Sequence, residues 1–105
     1  MQIQVNTDSS IKGDERLEEV VEGMVADRLE RFRQEITRVE VHIRDENADK
    51  GGPDDTRCMI EARLKGMKPQ SVTHHASNVE DSVSGAVGKI WRALDSTLGK
   101  RNRHR

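Results

Sequence analysis

Aromatic side chains are nearly missing from this 105-residue chain: one Phe, one Trp and no Tyr, or 2%. Proteins that hold single-stranded nucleic acid by stacking bases on a sheet need several aromatics, so that mode is excluded. Cysteine is equally scarce. The single Cys58 can form no internal disulfide and cannot build a zinc site alone. No apolar run approaches the 18 or so residues of a transmembrane helix, and no basic stretch followed by an apolar one marks a secretory signal. The expected compartment is the cytoplasm. Apolar residues make up 32% and charged residues 35%, which leaves a small core. The length fits one domain.

Net charge is only −1, but it is unevenly distributed. Residues 1–55 hold 8 Lys/Arg against 15 Asp/Glu, and residues 56–105 hold 10 against 4. From Lys89 onward there are six basic residues and one acid, Asp95. Segregated charge steers partners more than the sum does.

The apolar pattern gives the element order. Ile3 and Val5 alternate with polar neighbours over 2–6, a short half-buried strand. Gly13-Asp14 opens a helix of about 20 residues, with Asp14 as N-cap and a stripe of Leu17, Val20, Val21, Met24, Val25, Leu29, Phe32 and Ile36. Arg28, Arg31 and Arg33 fall in its last turns, where the helix dipole favours cations. Period 2 returns over 37–44, with Val39, Val41 and Ile43 inward and Arg38, Glu40, His42 and Arg44 outward. A polar loop at 45–55 holds Gly51, Gly52 and Pro53. The strand at 56–64 turns Cys58, Ile60, Ala62 and Leu64 inward and Arg57, Met59, Glu61 and Arg63 outward, pairing antiparallel with the strand before it. After a turn at 65–69, residues 71–76 form a strand with Val72, His74 and Ala76 on one side. Asn78 caps a second helix over 79–98, with Asp81 three residues on, a stripe from Val79 to Leu98, Trp91 on the stripe's edge, and Gly99 as its C′ stop.

The expected fold is therefore α+β: a two-layer sandwich in the order β-α-β-β-β-α, with a four-stranded mixed sheet carrying two helices on one face. Residues 1–99 form one domain and 100–105 a basic tail.

Chemistry is hard to place on this frame. His74 and His75 are neighbours on a strand and point to opposite faces, no His pair stands at i, i+4, and His104 lies in the tail, so no metal site is expected. Cys58 points inward as a small hydrophobe. There is no nucleophile elbow and no phosphate loop. These features argue against an enzyme. What remains is charge: Lys89 and Arg92 share a helix face, and Lys100, Arg101, Arg103 and Arg105 extend it. Such a strip contacts phosphates rather than reading bases.

Three stretches carry a resemblance. M-Q-I-Q-V-N at 1–6, R-L-E-R-F-R-Q-E-I-T-R-V-E-V-H-I at 28–43 and H-H-A-S-N-V-E-D-S-V-S-G-A-V-G-K-I-W-R-A-L at 74–94, in this element order, resemble the ribosome hibernation-promoting factor family, also called ribosome-associated inhibitor A, S30AE or sigma-54 modulation proteins. The resemblance covers nearly the whole chain outside the 45–55 loop. It implies a cytoplasmic translation inhibitor that acts under stress, without cofactor, membrane or small-molecule substrate. Its partner would be the small ribosomal subunit, both RNA and proteins, where it occludes the channel for messenger and transfer RNA. The family's basic helix residues correspond to Arg28, Arg31, Lys89 and Arg92; with the strip above, the candidate RNA-binding set is Arg28, Arg31, Lys89, Arg92, Lys100, Arg101 and Arg103. The acidic first half and the Asp95-Ser96-Thr97 interruption keep an alternative open: a divergent protein-interaction or stress-adaptor domain that has the fold but not ribosome binding.

Overall fold

The structure is a computed structural model that describes residues 1–11, 15–46 and 55–103. The side chains of 101–103 lie outside the described set, as does the expected N-cap Asp14. The elements are β1 (Gln2–Thr7), α1 (Glu15–Arg28), a 3₁₀ turn (Glu30–Phe32), β2 (Ile36–Asp45), β3 (Thr56–Leu64), β4 (Gln70–Ala76) and α2 (Val79–Arg103). This is the expected β-α-β-β-β-α order. The sheet runs β1-β2-β3-β4; β1 pairs parallel with β2, and the other two pairings are antiparallel. A parallel neighbour needs a crossover, and α1 supplies it. Gly66, at φ 69°, makes the tight turn between β3 and β4, a conformation that side chains bearing a Cβ rarely adopt.

The inward residues of β2 and β3 meet Val21, Val25 and Leu29 of the first helix and Val83, Ala86, Val87, Ile90 and Leu94 of the second in one core. Burying each large aliphatic side chain stabilises the fold by about 1.5–3 kcal/mol, so the few apolar residues are nearly all spent here. Asn78 caps α2 as expected: its Oδ1 accepts from the Asp81 N–H at 2.8 Å, and its Nδ2 donates to the Asp81 carboxylate at 3.0 Å. Such a cap contributes about 0.5–2 kcal/mol.

Two expected boundaries are corrected. The first helix does not run to Ile36. It ends at Arg28, and Leu29, at φ −98° and ψ 8°, leads into tighter bonds from Phe32 N–H to Leu29 O and from Arg33 N–H to Glu30 O. The tightened turn buries Phe32 and frees Ile36 to begin β2. A register shift between Ile36 and Arg38 leaves Thr37 as a bulge residue. An extra residue flips the alternation, so even-numbered Ile36 is buried alongside odd-numbered Val39, Val41 and Ile43.

The second correction is at Gly99. It is an interior residue of α2, which continues to Arg103. A glycine stop takes positive φ and is usually accompanied by an apolar contact from the residue after it. Gly99 has no positive φ, and Lys100 and Arg101 offer no apolar group. The strip from Lys100 to Arg103 is helical rather than a loose tail. At 1.5 Å per residue α2 is about 37 Å long, against about 21 Å for α1.

Candidate nucleic-acid interface

The helices cover one face of the sheet, α1 over β1 and α2 over β3 and β4. Their N-terminal ends are acidic, with exposed Glu15, Glu18, Glu19 and Glu22 on α1 and Glu80 and Asp81 on α2. Arg28 closes α1, and on α2 the basic residues run from Lys89 and Arg92 at mid-helix to the C-terminal end, while Arg16 stands among the acids of the first turn of α1. The charge asymmetry of the sequence is thus laid out along the helical layer, and at the helix ends Glu15, Glu18, Glu80, Asp81 and Arg28 stand where the dipoles favour them.

The seven candidate cations differ in what they already touch. Arg28 is exposed in the last turn of α1. It walls a cavity of about 260 Å³ between the helices, together with Met24, Asp27, Ser84 and Val87. Arg31 is committed within the fold. Its guanidinium meets the Asp95 carboxylate at 3.3 Å and lies 5.5 Å from the Phe32 ring centre and 5.6 Å from that of Trp91. The two rings are themselves 5.6 Å apart and tilted by 58°. This clasp ties the end of the 3₁₀ turn to α2 and takes Trp91 away from any base. Lys89 is exposed, but its ammonium donates to the Thr73 carbonyl of β4 at 2.8 Å. Arg92 and Lys100 are exposed and have no carboxylate partner among the described residues. Arg101 and Arg103 belong to α2 by backbone, and their side chains lie outside the described residues.

Helical geometry gathers part of this set. At 100° per residue Lys89, Arg92 and Lys100 fall within an arc of about 80°. Asp95 lies about 60° beyond Arg92, on the side of α1, where it meets Arg31. These three α2 cations therefore form one strip, and Arg28 and Arg31 sit across the helix crest from it. The strip lies close to β4 because Gly85 lets the helix approach: a Cβ there would fall inside the His74 imidazole. His74 is the inward, half-buried histidine, whereas His75 is exposed.

The open sheet face has a different pattern. Strand register sets Arg38 opposite Arg63, Glu40 opposite Glu61 and Arg44 opposite Arg57. Like charges face each other across strands and opposite charges follow along them. Ion pairs run mostly along the strands: Arg38 with Glu40 at 3.4 Å, Arg63 with Glu61 at 3.5 Å, and Arg44 with Glu46 at 3.7 Å. Arg57 reaches the same Glu46 at 3.7 Å. Every arginine of this face has a carboxylate within reach.

Cys58 is fully buried in β3, and burial pushes its thiol up to about 12. It is a protonated core residue at neutral pH and a poor nucleophile. Among the described residues no three His, Cys, Asp or Glu side chains are grouped to hold a metal.

The commitments of Arg31 and Lys89 were hidden from sequence reasoning, because each joins elements far apart in the chain. Asp95 was the available signal: a lone acid in a basic stretch needs a partner, and the partner is Arg31.

Comparison with known proteins places the chain. No curated protein matches it. Among solved structures, a ribosomal subunit interface protein from Coxiella burnetii is similar at a TM-score of 0.77 and 15% identity, over 94% of this chain and 99% of that one. The N-terminal domain of Thermus thermophilus Protein Y gives a TM-score of 0.74 at 15% identity, over 92% and 99%. At that identity the likeness concerns the fold. The family model described as sigma 54 modulation protein / S30EA ribosomal protein matches residues 3–102. This chain belongs to that family, whose members are ribosome-associated modulation proteins and not enzymes.

Proposed function

We propose that the chain is a cytoplasmic hibernation factor that binds the small ribosomal subunit and occludes the channel for messenger and transfer RNA under stress. It inhibits translation by steric exclusion, and cations of the helical layer neutralise RNA phosphates. Of the candidate set, Arg28, Arg92 and Lys100 make the primary contacts, with Arg101 and Arg103 adding charge at the end of α2. Lys89 contributes after releasing Thr73, and Arg31 only at the expense of its pair with Asp95.

The observation that carries this reading is the contrast in pairing. Arg28, Arg92 and Lys100 have no carboxylate partner among the described residues, while the arginines of the open face are matched by glutamates. A phosphate contact displaces counterions rather than an internal partner only at the former. The matching family and the subunit interface protein among the structural relatives support ribosomal RNA as the polyanion.

The test is co-sedimentation with small ribosomal subunits over a range of salt. Four to six neutralised phosphates give a log–log slope of roughly −3 to −5. A flat response would contradict phosphate contact and favour the protein-adaptor alternative.

A further inference from the structure

The open sheet face is not uniform. At the end where β2 leads toward β3 it sinks into a cavity of about 310 Å³, walled by Asn6, Thr7 and Asp8 on one side, His42 and Arg44 in the middle, and Arg57 and Met59 beyond. That is the lower end of the size range for small-molecule sites. The cavity lies on the layer opposite the helices.

Arg44 and Arg57 stand directly opposite each other in register, an arrangement that opposes pairing of the strands unless an anion sits between them. The protein supplies two carboxylates here, Glu46 beside both arginines and Asp8 across the cavity, within reach of the Arg44 charge. Both arginines share Glu46 at 3.7 Å, beyond hydrogen-bond distance. Neither side chain donates a hydrogen bond to any described residue. Each guanidinium has five N–H donors in a planar fork that suits phosphate oxygens. Arg38, at the other end of the face, differs: it donates to Gln4 and to Glu40. The cavity also holds an acceptor. Asp8 Oδ1 accepts from the N–H and hydroxyl of Ser10, and Oδ2 has no partner among the described residues. Met59 adds an apolar flank.

We propose that this cavity binds a nucleoside monophosphate group, with the phosphoryl oxygens accepting from Arg44 and Arg57 in place of Glu46, and a sugar hydroxyl or base amino group donating to Asp8. The same chemistry is available from a free mononucleotide or from the 5′-phosphate end of an RNA.

Titration calorimetry on the full chain tests this with AMP, GMP, adenosine, inorganic phosphate, and a tetraribonucleotide with or without a 5′-phosphate. AMP or GMP binds saturably and adenosine at least tenfold more weakly. The double variant Arg44→Gln/Arg57→Gln weakens nucleotide binding tenfold or more, whereas Arg38→Gln/Arg63→Gln changes it less than twofold. The double variant melts no lower than the parent, because it removes a facing like-charge pair. Asp8→Asn, on an exposed residue, weakens AMP about threefold or more and does not weaken inorganic phosphate, since it removes a carboxylate near Arg44. Tighter binding of the phosphorylated tetranucleotide than of AMP assigns the site to RNA ends; the reverse assigns it to free nucleotide. No saturable binding of AMP, GMP or the phosphorylated tetranucleotide overturns the proposal, as does undiminished binding by the double variant. The ribosome reading is tested separately, since these substitutions leave Arg28, Arg92 and Lys100 in place.

Discussion

The two faces of the molecule use arginine in opposite ways. On the open sheet face Arg38, Arg44, Arg57 and Arg63 each lie within 4 Å of a glutamate. On the basic end of the helical layer Arg28, Arg92 and Lys100 have no carboxylate partner among the described residues, while Arg31 is held by Asp95 and Arg33 by Glu30. Counting charges does not separate the faces. What separates them is whether a cation must give up a protein partner before it meets a phosphate. Exposed pairs are individually worth little, about 0–1 kcal/mol, but several displaced together subtract from every phosphate contact made.

The largest expected effect would disturb the seat of α2. Gly85→Val places branched carbon inside the His74 ring, so ring or helix must move, at a cost of about 1–3 kcal/mol. Thermal or urea melting reads the loss, and His74→Ala in the same chain restores most of it. No loss would mean that α2 is not seated on β4 as described, and Lys89 would then not be tied to Thr73.

Next in size is truncation after Gly99, which removes the last helical residues of α2 with Lys100, Arg101 and Arg103. No apolar residue is lost, so the melting midpoint stays nearly unchanged, with about 0.3–1 kcal/mol at most lost from the helix dipole. Co-sedimentation with small subunits falls about tenfold or more at low salt, as two or three phosphate contacts disappear. A collapse in melting would show that this turn packs on the fold.

Asp95→Asn sharpens the contrast in the other direction. It frees Arg31 while leaving the Phe32 and Trp91 rings to stack it, at a stability cost of about 0.2–1 kcal/mol. The helical layer gains one cation without an internal partner, and affinity for small subunits rises several-fold in low salt. Unchanged affinity would place Arg31 outside the contact.

The smallest effect is a pH dependence at the edge of the open face. Hydrogen bonds from the Ser10 hydroxyl and N–H, with the Arg44 charge adding to them, hold the Asp8 carboxyl below its ordinary value. A depressed carboxyl stabilises the fold above its unfolded value of about 3.9 and loses that contribution as pH falls through the folded value. The melting curves of the parent and Asp8→Asn therefore differ slightly at neutral pH and converge in acid. A difference that grows on acidification would contradict this.

Local pattern made most of the architecture legible. Period-2 runs placed all four strands, and Asn78 with Asp81 placed the start of α2. The errors came where tertiary context overrode local pattern. Ile36 continues the i, i+3, i+4 stripe of α1 and also begins a strand, and only the bulge at Thr37 reconciles its burial with Val39. Gly99 reads as a stop, but lacks the following apolar residue that would make it one. Basic residues on the helices could be listed from sequence, yet their availability could not, because the Asp95 carboxylate and the Thr73 carbonyl reach them from other elements. The cavity at Arg44 and Arg57 was invisible for the same reason, since it depends on cross-strand register through a long loop.

The salt dependence of small-subunit binding, compared between two matched variants, tests the central claim most directly. Arg92→Gln/Lys100→Gln removes two cations without an internal partner, and Arg38→Gln/Arg63→Gln removes two paired ones. The account predicts that the helical variant binds more weakly and that its log–log slope is shallower by about 1.4–1.8, two contacts at roughly 0.7–0.9 each, while the sheet variant keeps the parent's slope. Equal slopes for the parent and the helical variant, or a shallower slope for the sheet variant alone, would contradict it.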